Sequence, residues 1–130
     1  NKKIEFNIEK QDNYTLVKVL ADKLDTNVAP SLKSELVLIS GKGEKNIVLD
    51  LNQVKYCDSS GLSAILVANR LSKNASGTFV LTGLNEAVDR LITISQLDTV
   101  LNIAYSTGEA EDIIQVEEEK RRNSDFSENE

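Results

Sequence analysis

IVLDLNQVKYCDSSGLSAIL, residues 47–66, joins two kinds of pattern within twenty positions. Ile47, Val48 and Leu49 are consecutive apolar residues, as expected of a strand covered on both faces. A short connection follows, and Asp58-Ser59-Ser60-Gly61 then opens a helix. That helix carries Leu62, Ile65 and Leu66 alongside Ala64, Val67, Ala68 and Leu71, so both of its sides are apolar and it should be largely buried. A buried strand feeding a buried helix is the repeating unit of α/β folds. In open α/β sheets, sites lie beyond the carboxyl ends of strands, where helix N-termini point outward.

The same two patterns alternate on either side. Upstream, Ile4, Phe6 and Ile8 alternate with Glu5, Asn7 and Glu9, the period of a half-buried strand. Asp12-Asn13 marks a turn, and residues 14–20 form a second strand, antiparallel to the first. Val28, Leu32, Leu36 and Ile39 recur at helical spacing after Asp25-Thr26, a capping pair, with Pro30 near the first turn and Gly41 and Gly43 at the end. Downstream, residues 78–81 read as a strand, and Asn85 caps a helix holding Val88, Leu91 and Ile92. Residues 100–103 read as a short last strand, and a final helix runs from Gly108 to about Lys120. The expected plan is α/β: a mixed sheet of about five strands with about four helices packed on it.

A chain of 130 residues is one domain's worth. Its 40% apolar and 28% charged content fits an ordinary globular protein with a proper core. Fifteen basic against twenty-one acidic side chains give −6, which argues against broad binding to nucleic acid or anionic membrane. The aromatic residues are not interleaved with basic ones, so no stacking platform for bases is expected. Histidine is absent, so Ser-His-Asp, Cys-His and His-ligated metal chemistry are excluded within this chain. Cys57 is the only cysteine; it makes no internal disulfide and reads as a small buried hydrophobe. No apolar run reaches the ~18–20 residues of a membrane helix, and cytoplasm is the expected compartment. Residues 117–130, EEEKRRNSDFSENE, carry six acids, three bases and a single apolar side chain. Residues 1–116 are therefore expected to be the folded domain, and 117–130 a charged helix end and flexible tail.

The chemistry concentrates at Asp58-Ser59-Ser60-Gly61. The first amides of a helix lack intrahelical partners, and the macrodipole places partial positive charge there. Asp58 or Ser59 can cap those amides, and a phosphate on Ser59 would be well placed. Gly61 removes a side chain from the first turn, allowing another surface to approach closely. Asp, Ser and Ser at a helix start are also simply good capping residues, and the tetrapeptide alone identifies no function.

The whole phrase resembles the STAS domain, specifically bacterial anti-sigma factor antagonists: a hydrophobic strand, Asp-Leu, a linker, then Asp-Ser-Ser-Gly-Leu opening a helix. Lys23-Leu24-Asp25 falls where that family has Glu-Leu-Asp before its first helix. Residues 85–91, NEAVDRL, resemble the third-helix motif, and Ile94-Ser95-Gln96-Leu97 the Ser-Gly-Leu turn after it. The resemblance covers roughly residues 4–116, in order and at the family's spacing. It implies a binding module with no catalytic residues, metal or cofactor. Ser59 is then the phosphoacceptor, with Asp25, Asp58, Ser60, Gly61 and Leu62 forming its surroundings and the partner-binding face. The implied partners are an anti-sigma factor that is itself a serine kinase, bound when Ser59 is unmodified, and a PP2C-type phosphatase that resets the switch. The free chain is expected to be a monomer.

Two residues depart from the family pattern: Lys23 replaces an acid, and Gln96 stands where Gly is common. Asp25 reads equally as part of the docking face and as a helix cap. The alternative function is a soluble STAS regulatory subunit of a transporter, for example a bacterial lipid ABC system; the acceptor serine favours the antagonist. An enzyme is the poorest reading, since neither a P-loop nor a GxGxxG motif is present and no acidic metal cluster accompanies Asp50.

Overall fold

The computed structural model describes residues 4–128; the first three residues of the expected domain and the last two of the expected tail lie outside the described residues. Along the chain come β1 (Phe6–Lys10), β2 (Thr15–Val19), β3 (Lys23–Leu24), α1 (Ala29–Gly41), β4 (Ile47–Asp50), β5 (Tyr56–Cys57) and α2 (Ser59–Asn74). Then follow β6 (Phe79–Thr82), α3 (Glu86–Ile94), a 3-10 turn (Leu97–Thr99), β7 (Asn102–Ala104) and α4 (Thr107–Glu128). The main sheet has the order β1-β2-β4-β6-β7. Its β1–β2 edge is antiparallel and every other pairing is parallel, so the expected mixed five-stranded sheet with four helices is what forms.

Register explains why the central strands carry unbroken apolar runs. Val17, Leu49 and Leu81 stand side by side across β2, β4 and β6, and Leu16, Val48 and Val80 form the next row on the opposite face. The first row packs against Leu32 and Leu36 of α1, Ala64, Ile65 and Ala68 of α2, and Val88 and Ile92 of α3. The second row packs with Tyr14, Ala104 and, from α4, Ala110 and Ile114. Each face is thus roofed by helices, and burying one such aliphatic side chain is worth about 1.5–3 kcal/mol.

Several boundaries differ from the sequence reading, each for a local reason. The connection after β4 contains β5, which pairs in parallel with β3: Lys23 stands opposite Tyr56 and Leu24 opposite Cys57. Two-residue strands are too short to show any period. The Asp25-Thr26 pair does not cap α1. Val28 holds the N-cap position without a side-chain hydrogen bond. Asp25 instead builds the turn before the helix, its Oδ1 accepting from Asn27 N at 3.0 Å and its carbonyl from the amides of Val28 and Ala29. Residues 97–99 wind into the 3-10 turn, so the last strand starts at Asn102 and Val100 is left 52% exposed.

The final helix continues to Glu128, past the expected end near Lys120. Its start is fixed reciprocally, with Ser106 Oγ accepting from Glu109 N and Glu109 Oε2 accepting from Tyr105 N. Residues 118–121 do not stand clear of the body. Glu118 Oε1 accepts from Asn46 Nδ2 at 3.0 Å and from Arg121 Nη1 at 2.7 Å, while Arg121 also donates to Thr78 Oγ1. Asn46 ties this clamp to the sheet: its Oδ1 accepts from Thr78 N at 2.8 Å and its Nδ2 donates to the Asn13 carbonyl. Burial raises the Glu118 carboxyl, but Asn46, Lys45 and Arg121 together outweigh it and hold the group below its ordinary value. The charged segment is therefore anchored as far as Arg121, where the sequence offered it nothing to pack against.

Candidate functional site

The start of α2 is set by its neighbours on both sides. Asp58 N donates to the Leu24 carbonyl, extending the β3–β5 pairing by one bond and fixing where the chain leaves the strand. Asp58 then takes the N-cap position in extended backbone conformation, and its Oδ1 accepts from Ser60 N at 2.9 Å and Gly61 N at 3.2 Å. Its carbonyl receives Leu62 N, the first rung of the helix. Of the two capping candidates, Asp58 is the one used. Ser59, the first helical residue, is exposed, and the capping duty is already discharged by its neighbour.

Gly61 has a different use from the expected one. It is buried, and a Cβ there would fall well inside contact distance of the Leu24 carbonyl oxygen and Cys57 Sγ. The surface that approaches its backbone is the chain's own β3–β5 pair. Leu62 is half-buried and packs on the main core. Cys57 is buried, and that burial, with the Asp58 carboxylate beside it, pushes its thiol up to about 11. At neutral pH it is a protonated, apolar filler rather than a nucleophile.

An open cleft runs between α1 and α2, lined by Thr26, Pro30 and Lys33 on one wall and Ser59, Ser60 and Ser63 on the other. The structure thus brings Ser59 and Ser60 to the N-terminal end of α1. Asp25 lies just outside, lining a separate hollow with Lys23, Asn27 and Val28. The sequence reading missed Ser63 and Lys33. Ser63 follows Ser59 by four residues and so shares its helix face, a spacing that was available. Lys33 carries no such mark, because only the packing of α1 against α2 brings it there.

Other hollows are built from groups already in use. At the carboxyl ends of β6 and β7, Asn52, Gly83, Asn85 and Tyr105 surround a shallow depression. Within it Asn85 is committed: its Oδ1 caps α3 through Val88 N and its Nδ2 donates to the Val54 carbonyl. Among the described residues, no group of three or more His, Cys, Asp or Glu side chains could hold a metal ion, and no helix is long and apolar enough to cross a membrane.

The chain is similar to known proteins. Residues 5–110 match the STAS domain family. The anti-sigma-B factor antagonist of Listeria monocytogenes is 28% identical over 106 residues, covering 82% of this chain and 93% of that protein. Among solved structures, a Thermotoga maritima protein superposes with a TM-score of 0.76 at 26% identity, over 85% of this chain and 94% of its own. SpoIIAA, a Bacillus cell fate determinant, superposes in its unphosphorylated form with a TM-score of 0.65 at 18% identity, over 85% and 96% of the two chains, which speaks for the fold. The family match spans most of the chain, and the chain belongs to the STAS domain family.

Proposed function

We propose that this chain is an anti-sigma factor antagonist, a binding module rather than an enzyme, switched by phosphorylation of Ser59. One observation carries the reading: Ser59 is exposed at the first position of α2 while Asp58 alone caps the helix. The hydroxyl is accessible, and modifying it breaks no bond that the fold needs. In the unmodified state the face around Ser59 binds an anti-sigma factor that is itself a serine kinase, and the sigma factor is released. The kinase transfers the γ-phosphoryl group of ATP to Ser59 Oγ; the hydroxyl proton leaves to a base on the kinase, and ADP departs. A PP2C-type phosphatase then hydrolyses the phosphoserine to serine and inorganic phosphate. The free chain is a cytoplasmic monomer in this scheme.

Phosphorylation adds about −1.5 to −2 charges next to Asp58. A partner that must desolvate this dianion beside another carboxylate loses affinity, so the switch works by local charge without refolding. With the purified kinase, Ser59→Ala should take up no phosphate. Ser59→Asp should bind the kinase at least about tenfold more weakly than the unmodified chain, a difference of roughly 1.4 kcal/mol. Undiminished labelling of Ser59→Ala would remove the site assignment.

A further inference from the structure

We propose that Lys33 is the intramolecular counter-ion of the phosphate on Ser59, a proposal that rests on the phosphorylation of Ser59 argued above. Lys33 lines the α1–α2 cleft opposite Ser59, Ser60 and Ser63. It is half-buried, yet among the described residues no carboxylate lies within ion-pair distance of it. The carboxylates that flank the cleft are otherwise engaged. Asp58 is turned onto the amides of Ser60 and Gly61, and Asp25 onto the amide of Asn27. The remaining lining groups are the Thr26, Ser60 and Ser63 hydroxyls and the apolar Ala29 and Pro30. A dianion on Ser59 is then the one strong acceptor that the cleft would present to an otherwise unpartnered ammonium.

Lysine suits this role, being a compact charge on a flexible stem that can swing to a group absent from the unmodified protein. The ammonium would shorten and strengthen its hydrogen bonds to the phosphate oxygens. It would also favour the dianion over the monoanion, keeping the switch fully charged at neutral pH. Lys33 is in this sense a positioning residue: it does not take part in the transfer, but fixes the charge state and direction of the product.

The test is 31P NMR titration of the full chain made with phosphoserine placed at position 59 during synthesis, so that no kinase is needed. Free phosphoserine loses its second proton near pH 6. The unsubstituted phosphoprotein should titrate below that, Lys33→Met and Lys33→Gln should each raise the midpoint by about half a pH unit or more, and Lys33→Arg should retain the low value. Circular dichroism of each variant establishes that it is folded, and two neutral substitutions guard against one that is not. A midpoint that moves by less than about 0.2 unit in the neutral variants, or moves equally in the Arg variant, overturns the proposal. The two failures are separable. A kinase that ignores Ser59 sinks the proposed function without touching the titration, and a flat titration removes Lys33 without touching the kinase result.

Discussion

Gly61 shows how one residue can be read correctly in place and wrongly in purpose. A glycine in the first turn of α2 looks like an opening for another molecule, whereas the structure fills that space with the Leu24 carbonyl and the Cys57 sulfur. Cys57 is only four residues away, but Leu24 comes from β3, and no local rule foretells its approach. Gly61→Ala should therefore cost about 1–3 kcal/mol through overpacking, read as a lower urea midpoint with an unchanged slope. Cys57 yields a second expectation at this scale. Its thiol is held protonated up to about pH 11 in the fold, against 9.0 for an unperturbed group. The raised value means that the folded state keeps the proton more tightly than the unfolded state. The associated stability is fully present below pH 9.0 and is lost as pH climbs towards 11. Alkylation at pH 8 should accordingly be slow in the folded protein and fast in denaturant. Rapid labelling of folded protein would contradict the burial of that side chain.

At the scale of elements, legibility followed the range of the interactions involved. The β4–α2 unit could be read directly because its evidence is local: an apolar run covered on both faces, and a capping residue next to the amides that it serves. A cap at Asp58 or Ser59 was legible for the same reason, and the structure uses Asp58. Asp25-Thr26 carries the same local chemistry but closes a turn on Asn27, Val28 and Ala29, since short polar side chains serve turns as readily as helix starts. The β3–β5 pair had no period to detect. The length of α4 was illegible because its anchor is remote: Glu118 meets Asn46 across 72 positions, and Arg121 meets Thr78 across 43. Asn46 is the keystone of that anchor. It is 4% exposed and satisfies the Thr78 amide, the Asn13 carbonyl and the Glu118 carboxylate at once. Asn46→Ala should leave the buried Thr78 amide without its acceptor and Glu118 with one donor fewer, costing about 1–3 kcal/mol. Urea denaturation measures the loss, and a variant as stable as the parent would show that the clamp contributes nothing.

For the whole molecule, the proposed switch lies apart from the groups that hold the fold together. The sheet and its two cores are closed over by helices, and the interior hydrogen bonds are committed to caps and clamps. The Ser59 cleft lies at the surface, where a change of charge leaves the architecture intact. Recognition at this face is the proposed work of a chain that carries a charge of −6 and no histidine. In the proposed switch, Lys33 on the opposite wall would organise the phosphate before any partner reads it. Phosphosite mapping by tandem mass spectrometry on the native protein, with its co-purifying partners identified in the same run, tests the central claim most directly. The account predicts phosphate on Ser59 in the free pool and a serine-kinase anti-sigma factor bound to the pool that lacks it. An unmodified Ser59 in a chain that travels with transporter subunits would contradict it.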